Sequence, residues 1–380
     1  MLSVMLPVTH ILWARQEVPP GGASLGNSAV ATPDLAALGL PDSAPYDPDG
    51  SGPGARQLGR VLGERWQAPG GRVRVTAGAS EANAVVLATL LRHGDDVLVE
   101  SPGYEPHRLG AGLIGAHVRT FRRPLGAPAG ALAEAVGRAL TPATRMVVVS
   151  HMHNPSGAPL EEADLAGLER LAADRDFRIL ADETFRDADP AQPLGTIASR
   201  GPCWITTSSL TKSYGLGGLR VGWIAADEAT LARCGDVHDN LSAEPSALSV
   251  SLALALVPHL DGLRARAHRI LAANRAAWLA FLGRQNLLHA PTPSRSTCTW
   301  IQFAEPGRGD AFSEFALERF RLRIVPGRYF GDSAGVRITL GAEPEQFTPA
   351  LHLLEQATAA FAAVSADAGL RVGADTPEPA

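Results

Sequence analysis

The chain has 380 residues, with 34 Lys and Arg against 39 Asp and Glu, a formal net charge of -5 and a pI of about 6.1. That balance excludes the basic stripe expected of a nucleic-acid-binding surface. Hydrophobic residues at 45% and charged residues at 19% are ordinary globular usage, enough for one large and one small domain.

The three cysteines, Cys203, Cys234 and Cys298, are far apart, so neither a disulfide framework nor a structural zinc site is expected. The longest apolar stretch, 248–257, is too short to span a bilayer. The apolar N-terminus, MLSVMLPVTHIL, lacks the Lys or Arg that opens a secretory signal. A soluble cytoplasmic protein, with no membrane or nucleic-acid partner and no metal, is the expectation.

Thirty-nine Gly and 29 Pro punctuate the chain. Residues 17–56 read as loop. An alternation follows, with strands at 72–77, 96–100, 117–121, 145–150, 177–182, 204–209 and 220–225. Helices fall between them at 80–91, 105–114, 131–139 and 161–174. Such alternation predicts a mainly parallel sheet covered on both faces. After Ala226 the pattern changes. Long helices are predicted at 239–257 and 261–286, joined at Pro258. Strands at 297–303 and 335–341, with helices at 311–321 and 344–361, make a smaller α+β unit. Residues 365–380 are rich in Ala, Gly, Asp and Pro and read as disordered.

Four segments fall at the C-terminal ends of predicted strands, where ligands of open α/β sheets bind. In AGASEAN, 77–83, a strand gives way through a glycine turn to a helix, which makes a cradle for an anion or leaves Ser80 as an N-cap. In HNPSGAPL, Asn154 sits in a tight turn, as a functional amide or a turn cap. In LADETF, Asp182 ends an apolar strand, where a carboxylate needs a partner. In SSLTKSYGLGGLRVGW, Lys212 is framed by hydroxyls and glycines, and Arg220 enters a strand. A phosphate cradle, an amide, a buried Asp and a reactive Lys are together what pyridoxal phosphate requires.

At these motifs the chain, over roughly 20–363, resembles the class I/II aminotransferases among fold type I pyridoxal-phosphate enzymes. The resemblance implies a mainly parallel seven-stranded sheet between helices and a smaller α+β domain. It implies that Lys212 carries the cofactor and moves the α-proton. Asp182 would pair with the pyridine nitrogen, Asn154 would bond the 3-hydroxyl, and Tyr104 would stack on the ring. Ala79, Ser80, Ser209 and Arg220 would form the phosphate cup. Tyr46 would reach the phosphate of a second subunit, and Arg337 would clamp the substrate carboxylate. Asn27, in the loop LGNSAVA, would touch substrate. The expected parts are an arm at 1–45, a large cofactor-binding unit at 46–260, a small unit at 261–363 and a tail at 364–380.

One departure stands out. Three residues after the aspartate the family usually has Tyr, whose phenol bonds the 3-hydroxyl; here it is Phe185. His151 and His153 have strand spacing but no third ligand, so turn and core roles are expected. His107 and Arg108 follow Tyr104 on the same helix, where they either line the substrate pocket or, as favoured, lie on the surface. The implied function is a homodimeric aminotransferase working on an amino acid and a 2-oxo acid. Elimination, decarboxylation and racemisation use the same site. A non-catalytic sensor domain of a transcription regulator would need a DNA-binding module, and the first 70 residues lack its pattern. No second arginine for a side-chain carboxylate is identified, which leans away from Asp and Glu as donors.

Overall fold

The computed structural model describes residues 9–38, 54–303 and 305–367. The chain starts with α1 (Thr9–Arg15), β1 (Ala23–Ser24) and α2 (Gly54–Arg65). The predicted alternation then follows: β2 (Arg74–Thr76), α3 (Ala79–Leu90), β3 (Asp96–Ser101), α4 (Glu105–Leu113), β4 (His117–Arg122), α5 (Ala131–Ala139), β5 (Thr144–Ser150), α6 (Glu162–Arg175), β6 (Arg178–Asp182), β7 (Trp204–Ser209) and β8 (Gly222–Ala225). These strands form a seven-stranded sheet in the order β2-β8-β7-β6-β5-β3-β4. Only β8 runs against the others.

Successive side chains of a strand point to opposite faces, so a strand buried on both faces reads as a continuous apolar run. On one face Val97, Val99, Met146, Val148, Leu180 and Ile205 pack under Val85 and Val86 of α3. On the other, Leu98, Val147, Val149, Ile179 and Trp204 pack under Val136 of α5 and Leu168 of α6. The register sets Asp182 opposite Ser150 and Thr207 at the C-terminal edge. Every expected strand-end residue therefore faces the same edge of the sheet.

The helices after the sheet differ from the expectation. α7 (Glu228–Ser242) was not anticipated, and α8 (Ala247–Leu256) is separate from it. The predicted helix over 239–257 would run through Pro245, which lacks the N–H and disfavours helix in the residue before it. Here the chain breaks at Ala243, with φ 56°, and restarts at Ser246, whose hydroxyl accepts from the Ser249 N–H. α2 also lies partly within the segment read as loop. Gly59 and Gly63 let it lie on the backbone of the next segment: a Cβ at Gly63 would stand 2.3 Å from Arg72 Cα.

α9 (Leu260–Leu282) links two cores. Leu260 and Leu263 belong with Leu58, Leu62 and Trp223, whereas Ile270, Trp278 and Phe281 belong with the last third of the chain. By length and composition the run Ala247–Leu282 would suit a membrane span. It is broken by a turn at Val257–His259, and α9 buries its apolar stripe in these cores.

The last third comprises β9 (Cys298–Gln302), α10 (Arg308–Phe320), β10 (Leu322–Arg323), β11 (Val325–Pro326), β12 (Gly335–Thr339) and α11 (Pro344–Asp367). β11, β12 and β9 make an antiparallel sheet, and β1 pairs in parallel with β10. α11 extends beyond the predicted 361, so 364–367, expected in a disordered tail, are helical.

Candidate active site

Each expected site residue within the described chain lines a single cleft of about 910 Å³ at the C-terminal edge of the large sheet. Tyr46 lies outside the described residues.

Lys212 follows β7 in a loop held by the N-terminal segment: the Val30 N–H donates to the Lys212 carbonyl at 2.9 Å. Gly215, at φ +72°, leaves the room that segment needs; a Cβ there would meet the Ala31 carbonyl at 2.6 Å. The Lys212 ammonium donates to Ser28 Oγ at 3.0 Å. Burial, then the charge of Arg337, pushes the amine down from 10.5 to about 8. Asn27, beside Ser28, lies at the cleft edge, and its Oδ1 accepts from the Ala29 N–H at 3.1 Å.

Asp182 is buried at the end of β6. Its Oδ2 accepts from Asn83 Nδ2 and from His107 Nε2, both at 3.1 Å, and its Oδ1 accepts from the Thr184 N–H at 2.9 Å. Burial pushes this carboxyl up, but the His107 and Thr184 bonds outweigh it and hold it below the usual range. A carboxylate offers about four acceptor positions. Three are taken, which leaves one for a protonated ring nitrogen. The Thr207 hydroxyl donates to Asn83 Oδ1 at 2.6 Å, and so turns the Asn83 amide NH₂ toward Asp182.

His107 corrects the surface expectation: it is 1% exposed and is the partner of Asp182. It lies three residues after Tyr104, on one side of α4, and helical spacing was the available signal. Asn83 and Ser28 were likewise inside motifs read for other residues. Tyr104 precedes α4 at the cleft wall, and burial, then Asp182, raises its hydroxyl pKa.

The first turn of α3 forms the cradle. The helix begins at Ala79 after Gly78, so Ser80 is not its N-cap. Arg220 sits not in a strand but in a left-handed turn before β8, at φ 52°, and donates to the Ala77 carbonyl at 2.9 Å. Gly78, at φ +94°, lets the guanidinium close on the helix start: a Cβ there would lie 2.5 Å from Arg220 Nη2. Free N–H groups, the helix dipole and a guanidinium converge there, with Ser209 at the end of β7 completing the rim.

Arg337 enters from β12 and is 2% exposed. Nη1 donates to Asn154 Oδ1 at 3.1 Å and Nη2 to the Gly26 carbonyl at 2.9 Å. Nε is buried without a partner among the described residues. Asn154 thus presents its amide NH₂ as the group free to donate. Phe185 is buried, with its ring centre 6.0 Å from Lys212 Nζ. His151 and His153 serve the turn: His151 Nδ1 accepts from the Leu160 N–H, and His153 bonds Ser156 Oγ and the Pro102 carbonyl. Besides Arg220 and Arg337, the cleft lining includes Arg15 of α1 and Arg323, and Arg323 is held by the carbonyls of Trp13 and Gln16.

An anion cradle, a lysine with a lowered pKa and, among the described residues, one open acceptor position on Asp182 and an unpartnered Arg337 Nε–H fit pyridoxal phosphate with an amino-acid carboxylate. The profile of the family described as aminotransferase class I and II matches residues 60–354. The chain is 31% identical over 308 residues to a capreomycidine synthase of Streptomyces vinaceus, covering 76% of this chain and 75% of that one. It is 28% identical over 312 residues to an arginine–pyruvate transaminase of Pseudomonas aeruginosa, covering 77% and 78%. Among solved structures, a PLP-dependent aminotransferase from Streptococcus suis superposes with a TM-score of 0.80 at 21% identity, over 94% of this chain and 99% of that one. A PLP-dependent cyclase superposes with a TM-score of 0.79 at 26% identity, over 92% and 96%. The chain belongs to the class I and II aminotransferases, and its activity is pyridoxal-phosphate-dependent transamination between an amino acid and a 2-oxo acid.

Proposed function

We propose the following division of labour. Lys212 would hold the cofactor and, once freed by substrate, its amine would take up and return the α-proton. Its lowered pKa supports this, because the amine must be neutral to take a proton. The bound cofactor supplies an electron sink that acidifies the Cα–H. Asp182, kept ionised by His107 and Thr184, holds the proton on the ring nitrogen. Asn154 donates to the 3-oxygen, Tyr104 covers the ring, and Ala79, Ser80, Ser209 and Arg220 hold the phosphate. Arg337 binds the α-carboxylate and Asn27 flanks it. The observation that carries this reading is the meeting of Lys212, Asp182 and Arg337 in one cleft with the anion cradle.

The arginine–pyruvate relative makes arginine with pyruvate the first pair to try. The test is a screen of amino donors with pyruvate or 2-oxoglutarate, measuring the new keto acid and amino acid. A second reading, intramolecular chemistry on the same bound substrate, is favoured by the synthase and cyclase among the similar proteins. A product of unchanged nitrogen count with no keto acid formed would select it.

The same proposal includes a cytoplasmic homodimer, with Tyr46 serving the partner's phosphate. Leu241 of α7 and Leu248 of α8, 63% and 51% exposed, support an apolar contact surface. A fully active monomer in sedimentation would contradict it. The units at 46–260 and 261–363 are proposed as the parts that close on substrate.

A further inference from the structure

The N-terminal helix α1 carries a group for which the site described so far has no use. His10 is 4% exposed, lines the cleft, and has both ring nitrogens buried without a partner among the described residues. Buried polar groups are nearly always paired, so such an orphan points to a missing partner. The backbone around it is held in place. The Thr9 hydroxyl and the His10 N–H donate to the two oxygens of Glu105, at 2.8 and 2.9 Å. At the other end of α1, Arg323 donates to the Trp13 and Gln16 carbonyls and lies 4.1 Å over the Trp13 ring.

The imidazole stands among four aromatic rings. Trp13, Tyr104, Tyr329 and Phe330 have centroids 6.4, 6.2, 5.9 and 5.3 Å away. Phe330 also carries Arg337, whose guanidinium carbon is 5.2 Å from the ring centre. His10 and Arg337 therefore pack against one ring, and a substrate whose carboxylate sits on Arg337 has its side chain within the walls that hold His10.

We infer that His10 is the specificity-determining contact of this site, and that it selects amino acids whose side chains end in N–H or O–H groups over those ending in carboxylate or hydrocarbon. The inference rests on the transaminase reading, with the α-carboxylate on Arg337. A neutral imidazole offers one donor and one acceptor, which a hydroxyl, amide or guanidinium side chain meets. A hydrocarbon leaves both nitrogens orphaned. A carboxylate has no proton to give, so it can meet only the imidazole N–H and leaves the acceptor nitrogen orphaned against its negative charge. Burial, then Arg337 and Lys212, keep this imidazole neutral, with its pKa near 2.

The test measures kcat/KM on the holoenzyme for the common amino acids, with glutamine, methionine and glutamate as the sharpest set because their side chains are similar in size. His10→Phe keeps a ring in the aromatic cluster and removes both nitrogens; His10→Gln restores a donor and an acceptor. In the parent, donors with N–H or O–H side chains should exceed their hydrocarbon and carboxylate counterparts roughly ten- to hundredfold. That ratio should collapse in His10→Phe and recover in part in His10→Gln, while hydrocarbon donors stay within about threefold. A ratio unchanged in His10→Phe, an equal loss for every donor, or a parent that prefers hydrocarbon or carboxylate side chains would overturn the assignment. Loss of the bound cofactor's visible band on adding donor reports the underlying reading separately. If no amino acid bleaches the parent enzyme, transamination itself fails; bleaching without the polar preference refutes only the role of His10.

Discussion

Arg337→Ala should cost the enzyme its grip on the substrate carboxylate while leaving the cofactor in place. The side chain is 2% exposed, and two of its donors are already used, by Asn154 Oδ1 at 3.1 Å and the Gly26 carbonyl at 2.9 Å. These contacts fix the guanidinium plane, so the buried Nε–H and the remaining Nη hydrogens meet an incoming carboxylate without reorganisation. Truncating one side of a desolvated, hydrogen-bonded charge pair costs about 2–5 kcal/mol, or roughly 30- to 5,000-fold in kcat/KM. The lost contact to Asn154 adds to the penalty by freeing a group that holds the cofactor, so we expect the middle of that range, about 10²- to 10³-fold. Arg337→Lys keeps the charge without the fork and should fall between parent and Ala. The assay is steady-state kcat/KM with saturating oxo acid, with the visible absorbance of the bound cofactor as the control for an intact site. A variant that binds cofactor and keeps kcat/KM within about threefold of the parent would refute the clamp.

Two further outcomes follow from the cleft. Borohydride reduction of the holoenzyme should fix the cofactor on Lys212 alone, as read by peptide mass, and Lys212→Ala should give no stable label; a label on another lysine contradicts the assignment. Phe185 lies against Lys212 with no hydroxyl to offer, so Phe185→Tyr should supply a donor to the cofactor's 3-oxygen and shift the pH titration of its visible band downward by about one to two units; an unchanged or upward titration with cofactor bound would leave Phe185 a packing role only.

Much of the large sheet was legible because strands buried on both faces show as apolar runs, as in β5, whose Met146 to Ser150 are all buried. The site residues were legible for a related reason: polar groups at the ends of such runs are costly unless used. Contacts between distant segments were not. Helical spacing from Tyr104 turns His107 toward the cleft, but it does not pair it with Asp182, 75 residues away, just as nothing local pairs Ser28 with Lys212, 184 residues away. α7 escaped because its inward residues, Thr230, Leu231, Cys234 and His238, are mostly small or polar. Its start was nonetheless encoded in Asp227, whose side chain accepts from the Thr230 N–H. Arg220 read as a strand residue because Val221 and Trp223 alternate after it, whereas its left-handed turn is what brings it over Gly78.

The two halves of the molecule meet chemically at the lysine. Burial lowers the Lys212 pKa most, and the next cause is Arg337, delivered by β12 from the last third of the chain. When a carboxylate pairs with Arg337, that positive field is offset and the amine becomes more basic as substrate arrives. A base that strengthens once substrate is seated suits proton removal at Cα. In the apo-protein the same coupling is directly measurable, because capture of an aldehyde requires the neutral amine. The rate of cofactor capture should rise with pH through a midpoint near 8. In Arg337→Gln the midpoint should move up toward 10.5 without reaching it, because burial still opposes the charge. A midpoint that stays fixed or falls in that variant would show that Arg337 does not set the state of Lys212.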